Sequence, residues 1–168
     1  MKKIMIFAMI ACMVMSLAGC AGGGSDTTTT DPSADGGFTF TYKGTEIALH
    51  APAAPILEAL GEPMKYTESA SCAFEGLDKN YYFGSFYLDT YPKGEEDFVY
   101  GWWFADDSVK TDEGIYIGAA QGDVEAAYGA DSYNGTNAYV VRREQGTLTI
   151  ILEDGVVTSI QYAIVLED

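Results

Sequence analysis

The sequence predicts an α+β domain built from two tandem repeats, each a short helix followed by antiparallel strands, with the helices on one face of an antiparallel sheet. Three observations predict it. The stretch Glu46 to Gly61 lies over Gly114 to Gly129 without a gap. Runs rich in aromatic and β-branched residues follow each copy, and such residues favour strands. Turn chemistry separates those runs, at Gly76, Pro92-Lys93-Gly94, Glu144-Gln145-Gly146 and Asp154-Gly155.

The elements follow in order. Lys2 and Lys3 precede an uncharged run from Ile4 to Leu17. That run is shorter than the roughly 20 apolar residues a membrane span needs, and its flanks fit an export signal. It ends Leu17-Ala18-Gly19-Cys20, which resembles a bacterial lipobox. The resemblance implies cleavage before Cys20, acylation of its thiol (palmitate among the chains) and residence as a lipid-anchored extracytoplasmic protein of the cell membrane or outer membrane. Two or more acyl chains anchor stably, because each buried CH₂ contributes about 0.8 kcal/mol.

Residues 1–19 are thus expected to be the signal and 20–37 a lipidated tether. Ala21 to Gly37 holds only small and polar residues, too few apolar groups to offset the entropy of ordering. As a flexible coil it spans about 23 Å. Residues 38–168 form the globular part, with the first repeat at 38–113 and the second at 114–168.

In each repeat an extended lead-in precedes one helix. Ile47 matches Ile115, Leu49 matches Ile117 and Ile56 matches Val124. Pro52 and Pro55 suit a first helical turn, and Gly61 and Gly129 suit helix ends. Strands are expected at 68–75, 82–91 and 97–105, then at 138–143, 147–153 and 156–164. Asp154-Gly155 between two alternating runs marks a hairpin. The pattern Leu60-Gly61-Glu62-Pro63, with Ile117-Gly118, Val124 and Tyr128-Gly129 in the second copy, resembles the repeat of β-lactamase-inhibitor-like proteins and of SmpA/OmlA-type outer-membrane assembly lipoproteins. The second copy departs from it, with Ala130 and Asp131 where the terminal proline is expected. This resemblance implies helices on one sheet face and a binding rather than catalytic role.

A sheet covered on one side leaves the other available. Period-two alternation sends Phe86, Leu88, Trp102, Phe104, Leu148, Ile150, Leu152, Ile160 and Tyr162 inward. The opposite face then carries Tyr87, Asp89, Tyr91, Val99, Gly101 and Trp103, with Gly101 leaving a slot beside Trp103. Tyr and Trp are frequent interface anchors, so Tyr87, Asp89, Tyr91, Gly101 and Trp103 form the candidate binding face.

Charge and missing motifs narrow the chemistry. The chain carries 9 Lys+Arg against 25 Asp+Glu, net −16, and losing Lys2 and Lys3 with the signal takes it to −18. That disfavours nucleic acid, whose binding needs cations to displace counterions. His50 is the single histidine and reads as a cap or surface residue, so no histidine triad is expected. No Cys/His metal cluster or phosphate loop stands out, and no cofactor is expected. Removing Cys12 with the signal and acylating Cys20 leaves Cys72 as the one thiol, read as a small buried hydrophobe. The expected function is a membrane-tethered module binding a protein or peptide, not an enzyme. The rival readings are a small surface enzyme using carboxylates, with Asp89 or the acidic loops involved, and a passive envelope lipoprotein.

Overall fold

The computed structural model describes residues 37–166, and its first element is one the helix-then-strand reading lacks. Thr39–Tyr42 (β1) and Thr45–Ala48 (β2) pair antiparallel. Lys43 and Gly44 turn the chain at φ 50° and 86°, the left-handed pair that a two-residue hairpin requires. Phe38, Phe40 and Ile47 are buried on one side of this hairpin.

Ala53–Leu60 (α1) comes next, with Pro55 in its opening turn, where a missing N–H costs nothing. Gly61, at φ 80°, ends it by donating its N–H to Leu57 O at 3.0 Å. Then follow Lys65–Ala70 (β3), Leu77–Tyr82 (β4), Phe86–Lys93 (β5), Glu96–Phe104 (β6), Gln121–Tyr128 (α2), Ala138–Arg143 (β7), Gly146–Glu153 (β8) and Val156–Ile164 (β9). Strands β3 to β9 make one antiparallel sheet in the order β3-β4-β5-β6-β9-β8-β7.

This overturns the predicted α+β class. Among the described residues the chain is mostly β, with nine strands in two antiparallel sheets and two helices of eight residues each. The reason lies in how little the helices bury. Only Ala53 and Ile56 of α1 and Val124 of α2 are buried, too little to cover seven strands. The β1–β2 hairpin covers the rest. Phe40 packs edge-on to Phe86 at 5.1 Å, against Phe104 at 5.1 Å and in a stack with Trp102 at 6.1 Å. Phe86, Leu88, Trp102, Phe104, Leu148, Ile150, Leu152, Ile160 and Tyr162 face this core as the alternation requires.

One irregularity decides what the other face presents. Asp89 lies opposite Gly101 but Thr90 lies opposite Val99, so Tyr100 is left unpaired as a β-bulge. Strand β9 pairs with β6 only from Gly101 to Trp103. Beyond that point the edge of β6 is taken by the β2–α1 linker: His50 N–H donates to Val99 O at 3.0 Å and Val99 N–H to Ala51 O at 2.9 Å. The extra residue shifts the parity of β6. Val99, expected on the open face, is fully buried in the core.

Candidate functional site

The open face is organised by cross-strand rows. Tyr82, Tyr87 and Trp103 lie side by side on β4, β5 and β6. Their rings stack at 4.4 Å between Tyr82 and Tyr87 and at 4.7 Å between Tyr87 and Trp103. Two residues along the strands, about 7 Å away, Asn80 lies opposite Asp89. Asn80 Nδ2 donates to Asp89 Oδ1 at 2.7 Å. On the same face, Thr67 of β3 pairs with Asn80 and Ser69 with Asp78.

The β3–β4 loop roofs this row. Ser71 Oγ accepts the N–H groups of Ala73 at 3.3 Å and Phe74 at 3.1 Å, and Ser71 N–H donates to Gly76 O at 3.0 Å. These bonds curl the loop back and set the Phe74 ring 4.5 Å from that of Tyr91. A cavity of about 440 Å³ results, lined by Thr67, Ser69, Asp78, Asn80, Asp89 and Tyr100, with Phe74 and Leu166 supplying apolar surface. A second hollow of about 520 Å³ lies on the far side of Phe74, between Tyr91, His50, Phe98 and Glu144.

The cavity is electrostatically unbalanced. Burial pushes the Asp89 carboxyl from 3.8 up to about 6; the Asn80 hydrogen bond pulls it down, and the nearby Asp78 charge pushes it further up. Asp78 Oδ1 is buried with no hydrogen-bond partner. Lys79 also lines the cavity, but its Nζ is engaged by Asp97 Oδ2 at 2.6 Å. That bond raises the lysine pKa above its ordinary value, against the opposing pull of burial. Among the described residues no three His, Cys, Asp or Glu side chains converge as a metal site. The cavity can therefore hold a hydrogen-bond donor or a cation, and at neutral pH it holds a carboxylate close to its titration point.

The sequence-chosen residues do not all meet here. Tyr87 and Trp103 are half-buried in the aromatic ladder, and Asp89 sits in the cavity. Tyr91 is corrected: it is 6 % exposed. Phe74 covers it, and its hydroxyl shares a 3.0 Å hydrogen bond with His50 Nδ1. His50 is half-buried in that contact and is not a helix cap.

Gly101 is corrected too. It leaves no slot; a Cβ there would collide with the Tyr162 carbonyl oxygen and stand 3.0 Å from Ala163 Cα. Glycine is needed because β9 approaches the bulge too closely for any side chain. Cys72, expected to be buried, is exposed at the rim of the cavity. Cys20 lies outside the described residues.

Much of the site escaped the sequence, Tyr82 of the ladder and Thr67, Ser69 and Leu166 of the cavity included. Tyr100 reaches it only through the bulge, for which the regular alternation of Val99, Gly101 and Trp103 gives no hint. Phe74 arrives with its loop. Asp78 and Asn80 flank Lys79, three polar residues in a row that carry no alternation and look like a polar turn. Comparison with known proteins adds no precedent for this arrangement: no family model, curated protein or solved structure matches the chain.

Proposed function

We propose that the chain is a lipid-anchored extracytoplasmic binding module that takes a protein or peptide segment on the open face of its seven-stranded sheet. The observation that carries this reading is the juxtaposition of the Tyr82–Tyr87–Trp103 ladder with the Asp89 cavity. The aromatic rings offer rigid contact area, and the cavity beside them holds a carboxylate that the fold leaves under-compensated. The lipobox at Leu17 to Cys20 supports the anchor.

Photo-crosslinking in native membranes tests the face. A crosslinker replacing Tyr87 or Trp103 is expected to give discrete adducts, and one at exposed Glu125 on α2 none. Equal capture at all three positions overturns the reading. For the anchor, Cys20→Ser is expected to release the chain from membranes, and unchanged retention overturns the lipobox.

One observation favours a second reading. Asp78 and Asp89 share a concave pocket and Asp89 titrates near 6, a value suited to general acid–base work. Hydrolysis of chromogenic glycosides that Asp89→Asn abolishes would move the assignment to an enzyme.

A further inference from the structure

We infer that the Asp78–Asp89 cavity seats one cationic side chain, the ammonium or guanidinium of a lysine or arginine carried by a partner peptide, with its methylenes against Phe74 and Tyr100. The inference rests on the open-face reading above and names the ligand class of that same site.

Three independent features lead there. The first is Asp78, a partly exposed residue of the cavity wall whose Oδ1 is turned inward and has no hydrogen-bond partner. A buried carboxylate oxygen is costly to leave unpaired. A turn of the carboxylate brings that oxygen to an entering donor. The second is the composition of the wall. Thr67, Ser69 and Asn80 add neutral acceptors beside the two carboxylates, enough for the three donors of an ammonium or the planar fork of a guanidinium. Phe74, Tyr100 and Leu166 provide apolar surface for the stem, as long cationic side chains prefer. The third is charge. The chain is −16 overall; Lys79, the basic residue of the cavity wall, is committed to Asp97, and Glu68 adds another acid to the lining. Anionic ligands are repelled and cationic ones drawn in.

The aromatic ladder decides between a free cation and a peptide. It begins one row from Asp89 on the same face. Residues flanking the inserted side chain therefore meet Tyr87 and Trp103 directly. A free polyamine has nothing to place there.

The test uses the full chain in detergent micelles and follows tryptophan emission, with Trp103→Phe as the control that identifies the signal. The probes are a short peptide with uncharged flanks and one central lysine, its arginine and norleucine counterparts, and spermidine. The lysine and arginine peptides are expected to shift the emission saturably. Norleucine is expected to bind at least about ten-fold more weakly, the scale of one charged hydrogen bond. Asp89→Asn and Asp78→Asn are each expected to weaken the lysine peptide by a similar factor while circular dichroism stays unchanged. Asp106→Asn, which removes an exposed charge elsewhere, is expected to leave the affinity unchanged.

Equal weakening by Asp106→Asn overturns the inference in favour of diffuse attraction. Spermidine binding more tightly than the lysine peptide overturns the peptide as occupant. A norleucine peptide that binds as tightly overturns the cation and leaves the open-face reading standing. Silence toward every probe also overturns the inference, and the crosslinking at positions 87 and 103 then decides separately whether the open-face reading survives.

Discussion

Asn80 and Asp89 face each other across β4 and β5, and the Asn80 amide donates to Asp89 Oδ1 at 2.7 Å without bringing that carboxyl back to its ordinary range. Burial outweighs the hydrogen bond. In the folded state the group titrates near 6 instead of 3.8, so the native chain holds this proton more tightly than the unfolded chain. Its contribution is full below pH 3.8 and is lost as pH rises through about 6. Asp89→Asn removes the ionisation. Urea unfolding is expected to show the variant about 1–2 kcal/mol more stable than the parent at pH 7.5, after discounting for partial solvent access, with the gap closing toward pH 4. A variant less stable at pH 7.5 contradicts the assignment.

Glycines in this fold answer differently to alanine. Gly101→Ala drives a Cβ into the Tyr162 carbonyl at the β6–β9 junction, where neither backbone has room to yield. A loss of about 3 kcal/mol is expected in thermal or urea unfolding. Gly122, inside α2, has nothing within 4 Å of such a Cβ. Gly122→Ala is expected to stabilise by about 0.5–1 kcal/mol through helix propensity alone.

The adjacent tryptophans separate cleanly. Trp102 is fully buried between Phe40 and Tyr162, with a 4.8 Å stack on the latter. Trp103 is half-exposed on Tyr87. Acrylamide is expected to quench emission from Trp103 and to spare Trp102, as read in the two single-phenylalanine variants. Trp102→Ala is expected to cost about 3–5 kcal/mol, and Trp103→Ala about 1 kcal/mol, the worth of an aromatic cross-strand pair.

Cys72 is exposed and is expected to react with a thiol-specific chromogenic reagent in the native state almost as fast as in denaturant. Protection of the native thiol would show that the β3–β4 loop closes over it. Because Cys72 lines the rim of the cavity, a bulky adduct there is also expected to lower lysine-peptide binding.

The sequence reveals these elements unevenly, for physical reasons. β8 and β9 are legible because each buries one face, with Leu148, Ile150 and Leu152 buried between the less buried Thr149, Ile151 and Glu153, and because Asp154-Gly155 turns the chain at φ 51° and 77°. β4 is not, because its residues answer two demands at once. Tyr81 packs against the core while Asp78 and Asn80 serve the cavity, and the result looks like a loop. β1 and β2 were visible in principle, as the alternating Thr39-Phe40-Thr41-Tyr42 before Lys43-Gly44. The gapless match of Glu46 onward with Gly114 onward drew that segment into a helical repeat instead. The candidate face fails where the bulge resets parity: Tyr87, Asp89 and Trp103, on the Trp103 side of Tyr100, are placed as alternation says. Val99 lies past the bulge and turns into the core.

The short junction between β6 and β9 has a consequence for assembly. Every other neighbour pair in the large sheet is adjacent in sequence. Such hairpins close with little loop entropy, whereas β6 must wait for the last strand of the chain. Only three residue pairs reward that wait, from Gly101 to Trp103. During synthesis, Trp102 therefore lies beside a naked sheet edge until Tyr162 emerges, and an unpaired edge invites pairing with other chains. Truncation before Val156 would make that transient hazard permanent.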